Sequence, residues 1–188
     1  MALTPSSNPQ ASAGQAVGGR ATTLNLNDLD EVVVELVSGA RMAQRNVRAI
    51  STGKKTVAQV AQQYTISGWA SRRGYVQKTN EVMQRTREMG YQLQINLFDR
   101  GVPGRYDASH AEKQAYEVAP NQPIGVSKVM CPNCRSYFRY LAQYVQKAQV
   151  VTDPDVTRVF FSDGAVGVVY SDNSVLLYAP ETRVENLI

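Results

Sequence analysis

The chain contains a single histidine, His110, and two cysteines, Cys131 and Cys134, which form a C-x-x-C pair. Imidazole nitrogen and thiolate sulfur are common zinc ligands in proteins. Three protein ligands leave the fourth tetrahedral position free for water, and this arrangement is typical of catalytic rather than structural zinc sites. We therefore predict that His110, Cys131 and Cys134 hold one catalytic Zn²⁺.

Glu112 lies two positions after His110. It is too close along the chain to bind the same ion easily, but it can reach a water molecule beside that ion. The order H-x-E and then C-x-x-C is the signature of zinc deaminases of nucleobases, in which the glutamate moves protons while water attacks the ring. Met130 stands where that signature has proline, at a position that supplies no ligand. The pattern predicts that Glu112 is the general acid and base of a deaminase of cytosine-type bases.

Two other roles for the cysteine pair account for the pattern less well. A redox C-x-x-C pair requires no H-x-E upstream. A structural zinc site requires four protein ligands, and the sequence has no second histidine and no third cysteine. The motif therefore favours catalysis over a redox or structural role.

Two helix starts are expected to position these side chains. Ser109 is a suitable N-cap, which would place His110 and Glu112 in the first turn of the following helix. Pro132 suits the first turn of a helix that begins at Cys131. Because the N-terminal end of a helix carries positive partial charge, both starts should favour thiolate over thiol at the two cysteines.

Hydrophobic periodicity divides the chain into three parts. Residues 1–23 are small and polar and indicate a flexible leader, residues 24–89 a helical segment, and residues 90–188 a zinc-dependent deaminase core. Asn27 or Asp28 could cap the first helix of the helical segment. Apolar residues at helical spacing predict three helices there, over 28–50, 56–64 and 69–89.

The core is predicted to be mixed α/β. Two helices should begin near Ser109 and Cys131. The turns Ser162-Asp163-Gly164 and Ser171-Asp172-Asn173 separate the last three strands, which predicts an antiparallel meander. Alternating or short apolar runs indicate the strands, over 91–98, 123–129, 156–161, 166–170 and 175–178.

Composition restricts the setting in which the chain works. Its 188 residues include 43% hydrophobic residues, enough for one real core, and its net charge is +4. No apolar run is long enough for a membrane span, and Met1–Arg20 lacks the apolar region of a secretory signal peptide. Two cysteines in a chain of this length favour a reducing compartment. The mildly basic charge permits a polyanionic partner without requiring one.

Three stretches around the motif carry a family resemblance. They are Tyr106-Asp107-Ala108-Ser109-His110-Ala111-Glu112-Lys113-Gln114, Pro123-Ile124-Gly125-Val126-Ser127 and Met130-Cys131-Pro132-Asn133-Cys134. In these stretches the chain resembles the bacterial polymorphic-toxin deaminases, most closely the single-stranded-DNA cytosine deaminase toxins. The resemblance covers residues 90–180 and includes Thr157-Arg158-Val159-Phe160 with its hairpin.

The resemblance implies a cytidine-deaminase-like α/β fold. In that fold a mixed five-stranded sheet has flanking helices and C-terminal antiparallel strands, and the zinc site lies between two helices. The family pattern assigns the ligands to His110, Cys131 and Cys134 and the proton shuttle to Glu112.

The resemblance also implies a biological setting. It implies an effector that a secretion or delivery apparatus carries into the target-cell cytoplasm of a competing bacterium, and a cognate immunity protein in the producing cell. The leader fits either the loading signal of a stand-alone effector or an excised domain of a larger delivery protein.

Single-stranded DNA is the leading substrate, because a base within a duplex must first be flipped out of the stack. RNA, duplex DNA and a free nucleoside are the alternatives. Candidate substrate contacts beside the motif are Arg105, Tyr106, Ser109 and Arg135, since binding of single strands combines basic and aromatic groups. Trp69, the only tryptophan, is more typical of a core anchor than of a stacking platform.

A hypothesis of another class rests on residues 56–67. Their sequence, TVAQVAQQYTIS, is similar to the first helix and turn of a helix-turn-helix, with Thr65 where the turn usually has glycine. Basic Arg72 and Arg73 follow. On this interpretation the chain is a DNA-binding protein with a structural zinc site, although an amphipathic core helix explains the same residues.

Overall fold

The computed structural model describes residues 21–50 and 52–183. Within them, one mixed sheet of eight strands separates two helical layers. The strands are β1 Thr22–Asn25, β2 Val57–Val60, β3 Gln63–Ile66, β4 Ile124–Val126, β5 Gln149–Thr152, β6 Thr157–Phe160, β7 Val166–Val169 and β8 Ser174–Tyr178. The helices are α1 Glu31–Arg48, α2 Thr79–Met89, α3 Arg105–Ala108, α4 Ala111–Val118 and α5 Pro132–Val145.

The strands follow the order β1-β8-β7-β6-β5-β4-β2-β3 across the sheet. Strands β4 and β5 are parallel, with α5 as their crossover, and every other neighbouring pair described is antiparallel. The predicted mixed sheet with flanking helices is confirmed, and so is the C-terminal meander, which is formed by β6, β7 and β8. The sheet has eight strands rather than the five that the resemblance implied.

Alternating side chains direct the two faces of the sheet into different cores. Val150 and Val159 pack against α1, whereas Val151 and Phe160, their neighbours in sequence, pack against α4 and α5. The helices that carry the metal-ligand motif therefore lie on one face of the sheet and α1 on the other.

Helix α1 confirms the first predicted helix. Its buried residues follow the helical period, and they include Val33, Val37, Ala40 and Val47. The N-cap is Asp30, whose carboxylate accepts from the backbone N–H of Val32 at 2.9 Å. The predicted caps were wrong, because Asn27 and Asp28 belong to a short 3-10 turn over Leu26–Asp28.

The second predicted helix was wrong. Residues 56–64 contribute instead to the β2–β3 hairpin, whose two turn residues, Ala61 and Gln62, have positive φ angles of 43° and 64°. A two-residue turn of this kind matches the twist of paired strands. Strand β2 also pairs with β4. Since no helix forms over 56–67, the helix-turn-helix hypothesis is wrong as well.

The third predicted helix is shorter than expected. It covers Thr79–Met89, whereas residues 69–77 form bends, turns and isolated β-bridges. The segment 24–89 is therefore helical in α1 and α2 and β-stranded between them. Its separation from a core at 90–188 stays a prediction, although β2 and β4 share one sheet.

The predicted strand over residues 91–98 does not form. Two of its backbone N–H groups donate to carboxylates rather than to a neighbouring strand: that of Gln94 donates to Asp107 at 3.0 Å and that of Asn96 to Asp99 at 2.9 Å. A 3-10 turn over Leu97–Asp99 follows.

Of the predicted leader, residues 1–20 lie outside the described residues. Thr22 and Thr23, which the same prediction included, pair with β8 in strand β1.

None of the helices in the described part of the chain combines the length and apolarity needed to cross a membrane.

Gly125 offers a test of how closely α1 packs on the sheet. A Cβ at this position of β4 would collide with the backbone of Ala43 and Gln44 in α1. We expect Gly125→Ala to lower the free energy of unfolding by about 3 kcal/mol or more, because backbone rather than a flexible side chain must yield. Thermal and denaturant unfolding measure the effect.

Gly167→Ala on β7 is the matched control. Its added methyl would meet side chains at ordinary contact distances of 3.4 Å and more, so we expect a change below about 1 kcal/mol. Equal losses in the two variants would contradict the close helix–sheet contact.

Candidate active site

The ligand motif lies at the starts of two helices on one face of the sheet. His110 is the N-cap of α4, and Cys131 is the N-cap of α5, with Pro132 in its first turn. Both predicted helix starts are confirmed. The predicted cap was wrong: Ser109 does not cap α4, and its hydroxyl donates to the carbonyl of Tyr106 at 2.7 Å, at the end of α3.

His110, Cys131 and Cys134 converge on one point. The Nδ1 atom of His110 lies 3.1 Å from the sulfur of Cys134 and 3.5 Å from that of Cys131. All three ligand atoms lie within 4.8 Å of one another. Tetrahedral zinc with ordinary Zn–N and Zn–S bonds would hold nitrogen and sulfur about 3.6 Å apart. The cluster therefore has the donor set and the size of a zinc site.

The charges of the three groups are coupled. A hydrogen bond with Cys134 outweighs burial and, together with His110, lowers the pKa of the Cys131 thiol to about 4. Burial raises the pKa of the Cys134 thiol well above its usual range. Burial also opposes protonation of His110, but its hydrogen bond with Cys131 and the charge of Glu112 raise the pKa of the imidazole. A divalent cation would replace the protons that these groups hold between them.

Glu112 lies beside the ligands at the floor of a cleft. Its side chain is only 4% exposed. The cleft has a volume of about 650 Å³, and Glu112, His110 and Cys131 all line it. A carboxylate, an imidazole and a thiol therefore face one space, which is large enough to admit a nucleobase.

A buried ion pair connects the two ligand-bearing helix starts. Lys113, the residue after Glu112, is fully buried, and its ammonium contacts the carboxylate of Asp107 and donates to the Asp107 carbonyl at 3.1 Å. The same ammonium donates to Oδ1 of Asn133 at 2.5 Å. Asn133 stands between the two cysteines, so Lys113 holds the His110 side of the site against the Cys131 side.

A second buried ion pair supports the loop before Cys131. Arg158 on β6 pairs with Asp153, and both side chains are almost fully buried. The Asp153 carboxylate also accepts from the backbone N–H of Met130 at 3.0 Å. The residue that replaces proline in the deaminase signature is therefore fixed by its backbone.

Gln114 fixes one wall of the cleft through backbone groups. The two N–H donors of its buried side-chain amide are shared among three carbonyls, those of Ser109 at 2.9 Å, Ile66 at 3.1 Å and Gly68 at 3.3 Å. Its carbonyl accepts from the backbone N–H of Lys78 at 2.8 Å. The segment from Ile66 to Lys78 is thus tied at both ends to α4.

The four predicted substrate contacts have different positions. Tyr106 and Ser109 line the cleft, although Ser109 is only 2% exposed. Arg105 stands over the ring of Trp69, which itself lines the cleft. Nε of Arg135 donates to the carbonyl of Met130 at 3.2 Å, and Arg135 is not among the described residues that line the cleft.

Sequence reasoning missed several residues of the site. Lys113 and Gln114 follow Glu112 directly, and polar residues on the buried face of α4 were the available signal. Four basic residues of the cleft wall were missed as well. Arg72 falls within the predicted helix over 69–89, whereas Lys54, Lys55 and Arg100 lie between predicted elements, where the sequence pattern does not indicate that they share one cleft.

One known family is similar to part of the chain. The sequence model described as single-strand DNA deaminase toxin A, C-terminal, matches residues 64–116. The matched region extends from β3 to α4 and contains His110 and Glu112, whereas Cys131 and Cys134 lie beyond it. Comparison with curated proteins gave no match. The partial match supports a deaminase toxin family, in agreement with the resemblance seen in the motif.

The Lys113–Asp107 pair gives a prediction for stability and metal retention. Lys113→Met leaves the Asp107 carboxylate buried without its cation, and removing one partner of a buried pair costs about 3–5 kcal/mol. We expect that loss in denaturant unfolding, together with faster release of zinc to a chromogenic chelator.

The double variant Asp107→Asn/Lys113→Met removes both charges and is the matched control. We expect it to recover much of the stability, since no charge remains buried alone, while zinc release stays fast because Asn133 has lost its link to α4. Zinc release at the parent rate in both variants would contradict the role of this pair in the site.

Proposed function

We propose that the protein catalyses the zinc-dependent hydrolytic deamination of cytosine to uracil in single-stranded DNA, as a toxin delivered into competing bacteria. The observation that carries the proposal is the convergence of His110, Cys131 and Cys134 beside Glu112 at the floor of one cleft. Three ligands and an adjacent carboxylate are the groups that this reaction requires.

The reaction exchanges one bond at C4 of the base. Water adds its oxygen to C4, the bond from C4 to the amino nitrogen breaks, and uracil and ammonia are the products. His110, Cys131 and Cys134 would hold the zinc ion, which would lower the pKa of water to about 7 and so supply the nucleophile at neutral pH.

Glu112 performs the proton transfers. Its carboxylate accepts a proton from the attacking water and donates it to N3 of the ring. It then takes the remaining proton from the oxygen added to C4 and transfers it to the departing amino group. Its near-complete burial excludes bulk water from this exchange. Lys113 and the helix starts hold the carboxylate and the ligands at their distances.

Two observations support single-stranded DNA as the substrate. The partly matching family is described as acting on single-strand DNA. The cleft opens to the surface, and Phe98 and Tyr106 line it with exposed rings. An unpaired base can stack on such rings without the cost of leaving a duplex. A cognate immunity protein and a delivery apparatus follow from the toxin part of the proposal.

The proposal is tested by incubating the zinc-loaded protein with single-stranded DNA, duplex DNA, RNA and free cytidine and measuring uracil or uridine. We expect product from single-stranded DNA. Glu112→Ala should keep one zinc per chain and form product about 100-fold to 10,000-fold more slowly, since that is the usual contribution of a general acid and base. Glu88→Ala, which removes an exposed carboxylate of α2, is the matched control and should keep the parental rate.

The outcomes separate the parts of the proposal. Product from RNA or free cytidine alone would keep the chemistry and overturn the substrate. Absence of product from all four, with zinc bound, would overturn cytosine deamination.

The toxin part has its own test. Expression of the parent chain in a bacterial host that lacks uracil repair should raise the frequency of C-to-T changes and reduce survival, whereas Glu112→Ala should do neither. Equal toxicity of the two proteins would show that killing does not depend on deamination.

A further inference from the structure

The cleft wall has a strong charge imbalance. Lys54, Lys55, Arg72 and Arg100 line it and are exposed, and Glu112 at the floor is the one acidic residue among the described lining. The chain as a whole has a net charge of only +4. Positive charge is therefore concentrated around the site, where it attracts a polyanion.

Two arginine side chains at this wall contact the ring of Trp69. The guanidinium groups of Arg100 and Arg105 both stand over its ring, at 5.8 Å and 5.2 Å from the ring centre. Such cation–π contacts fix the position of an arginine while leaving its N–H donors available. The ammonium of Lys55 lies close to Gly68, the residue before Trp69: a Cβ built on that glycine would be 2.8 Å from the Lys55 nitrogen.

The backbone at Arg100 is held in an unfavourable conformation. Its φ of 49° and ψ of 48° lie in the left-handed region, which glycine adopts far more readily than arginine. Non-glycine residues in this region are strained and cluster at binding sites. The conformation directs an arginine toward Trp69 where stability alone would favour glycine.

Aromatic side chains occupy another part of the cleft. Phe98, which is 62% exposed, lies 5.3 Å from the ring of Tyr106, and Tyr106 lies 5.6 Å from the ring of His110. These rings lead from the surface to the metal ligands and suit bases. The guanidinium groups over Trp69 suit the phosphates between those bases.

We propose that Trp69, Arg100, Arg105 and Lys55 form a phosphate-binding subsite for the backbone next to the target nucleotide. Trp69 acts as the support of the two arginines, and the bases stack on Phe98 and Tyr106. The inference rests on the proposed function, which it deepens by assigning the phosphodiester groups of a single strand to a defined wall of the cleft.

The test measures binding rather than catalysis. All variants carry Glu112→Ala, so that no substrate is consumed, and binding of a fluorescent single-stranded oligonucleotide is followed by anisotropy from about 50 to about 200 mM salt. Each phosphate contact to a single strand contributes about 0.7 to the slope of log Kd against log salt. We expect Arg100→Gly and Arg105→Gln each to reduce the slope by about 0.7.

Arg100→Gly also separates binding from folding. Because glycine suits the left-handed backbone, this variant should unfold at the parental temperature or above while it binds the strand more weakly. Arg87→Gln, which removes an exposed arginine of α2 outside the cleft lining, is the matched control and should keep the parental slope.

Trp69→Leu distinguishes a support from a stacking platform. If Trp69 supports the arginines, its loss releases both of them. The slope of log Kd against log salt should then fall even though both charges remain. Weaker binding with an unchanged slope would show instead that a base stacks on Trp69, and would overturn its assigned role.

An unchanged slope in Arg100→Gly and Arg105→Gln would overturn the subsite. Failure of the subsite can be distinguished from failure of the proposed function. If the parent chain deaminates normally and the slopes of both arginine variants are unchanged, only the subsite is overturned. If the slopes fall but the parent chain does not deaminate, only the proposed function is overturned.

Discussion

The site depends on a lysine that has no contact with water. Lys113 is fully buried, and a buried ammonium is tolerated only when anionic and polar partners surround it. Asp107 and Asn133 supply them, and the second of these lies between the two cysteines. The electrostatic requirement of one cation thus fixes the spacing between two helix starts, and with it the distances between the metal ligands.

A second pair, Arg158 and Asp153, fixes the loop before α5 from the sheet side. Buried ion pairs are often no more stabilising than apolar side chains of equal volume, because desolvation offsets their attraction. Their contribution here is geometric: each requires a particular partner at a particular distance. Apolar packing alone would let α4 and α5 shift against each other. The Lys113 pair links the two helix starts to each other, and the Arg158 pair links the start of α5 to the sheet.

The sequence was sufficient to locate the candidate site and to predict much of the fold, and insufficient for the cleft wall. His110, Glu112 and the cysteine pair could be found because metal ligation restricts residue type and spacing. Residues 56–64 could not, since Val57, Val60 and Ala61 fit a helical period as well as a hairpin. Residues 91–98 alternate like a strand, but side-chain carboxylates from later in the chain take their backbone N–H groups.

Gln114 holds the segment from Ile66 to Lys78 by backbone carbonyls and a backbone N–H, and by no side chain of that segment. Backbone groups are the same whatever residue carries them. The anchoring therefore places little restriction on which side chains the segment presents to the cleft. The side chains of this segment could therefore change, and with them the chemistry of the cleft wall, while His110, Glu112 and the two cysteines keep their positions.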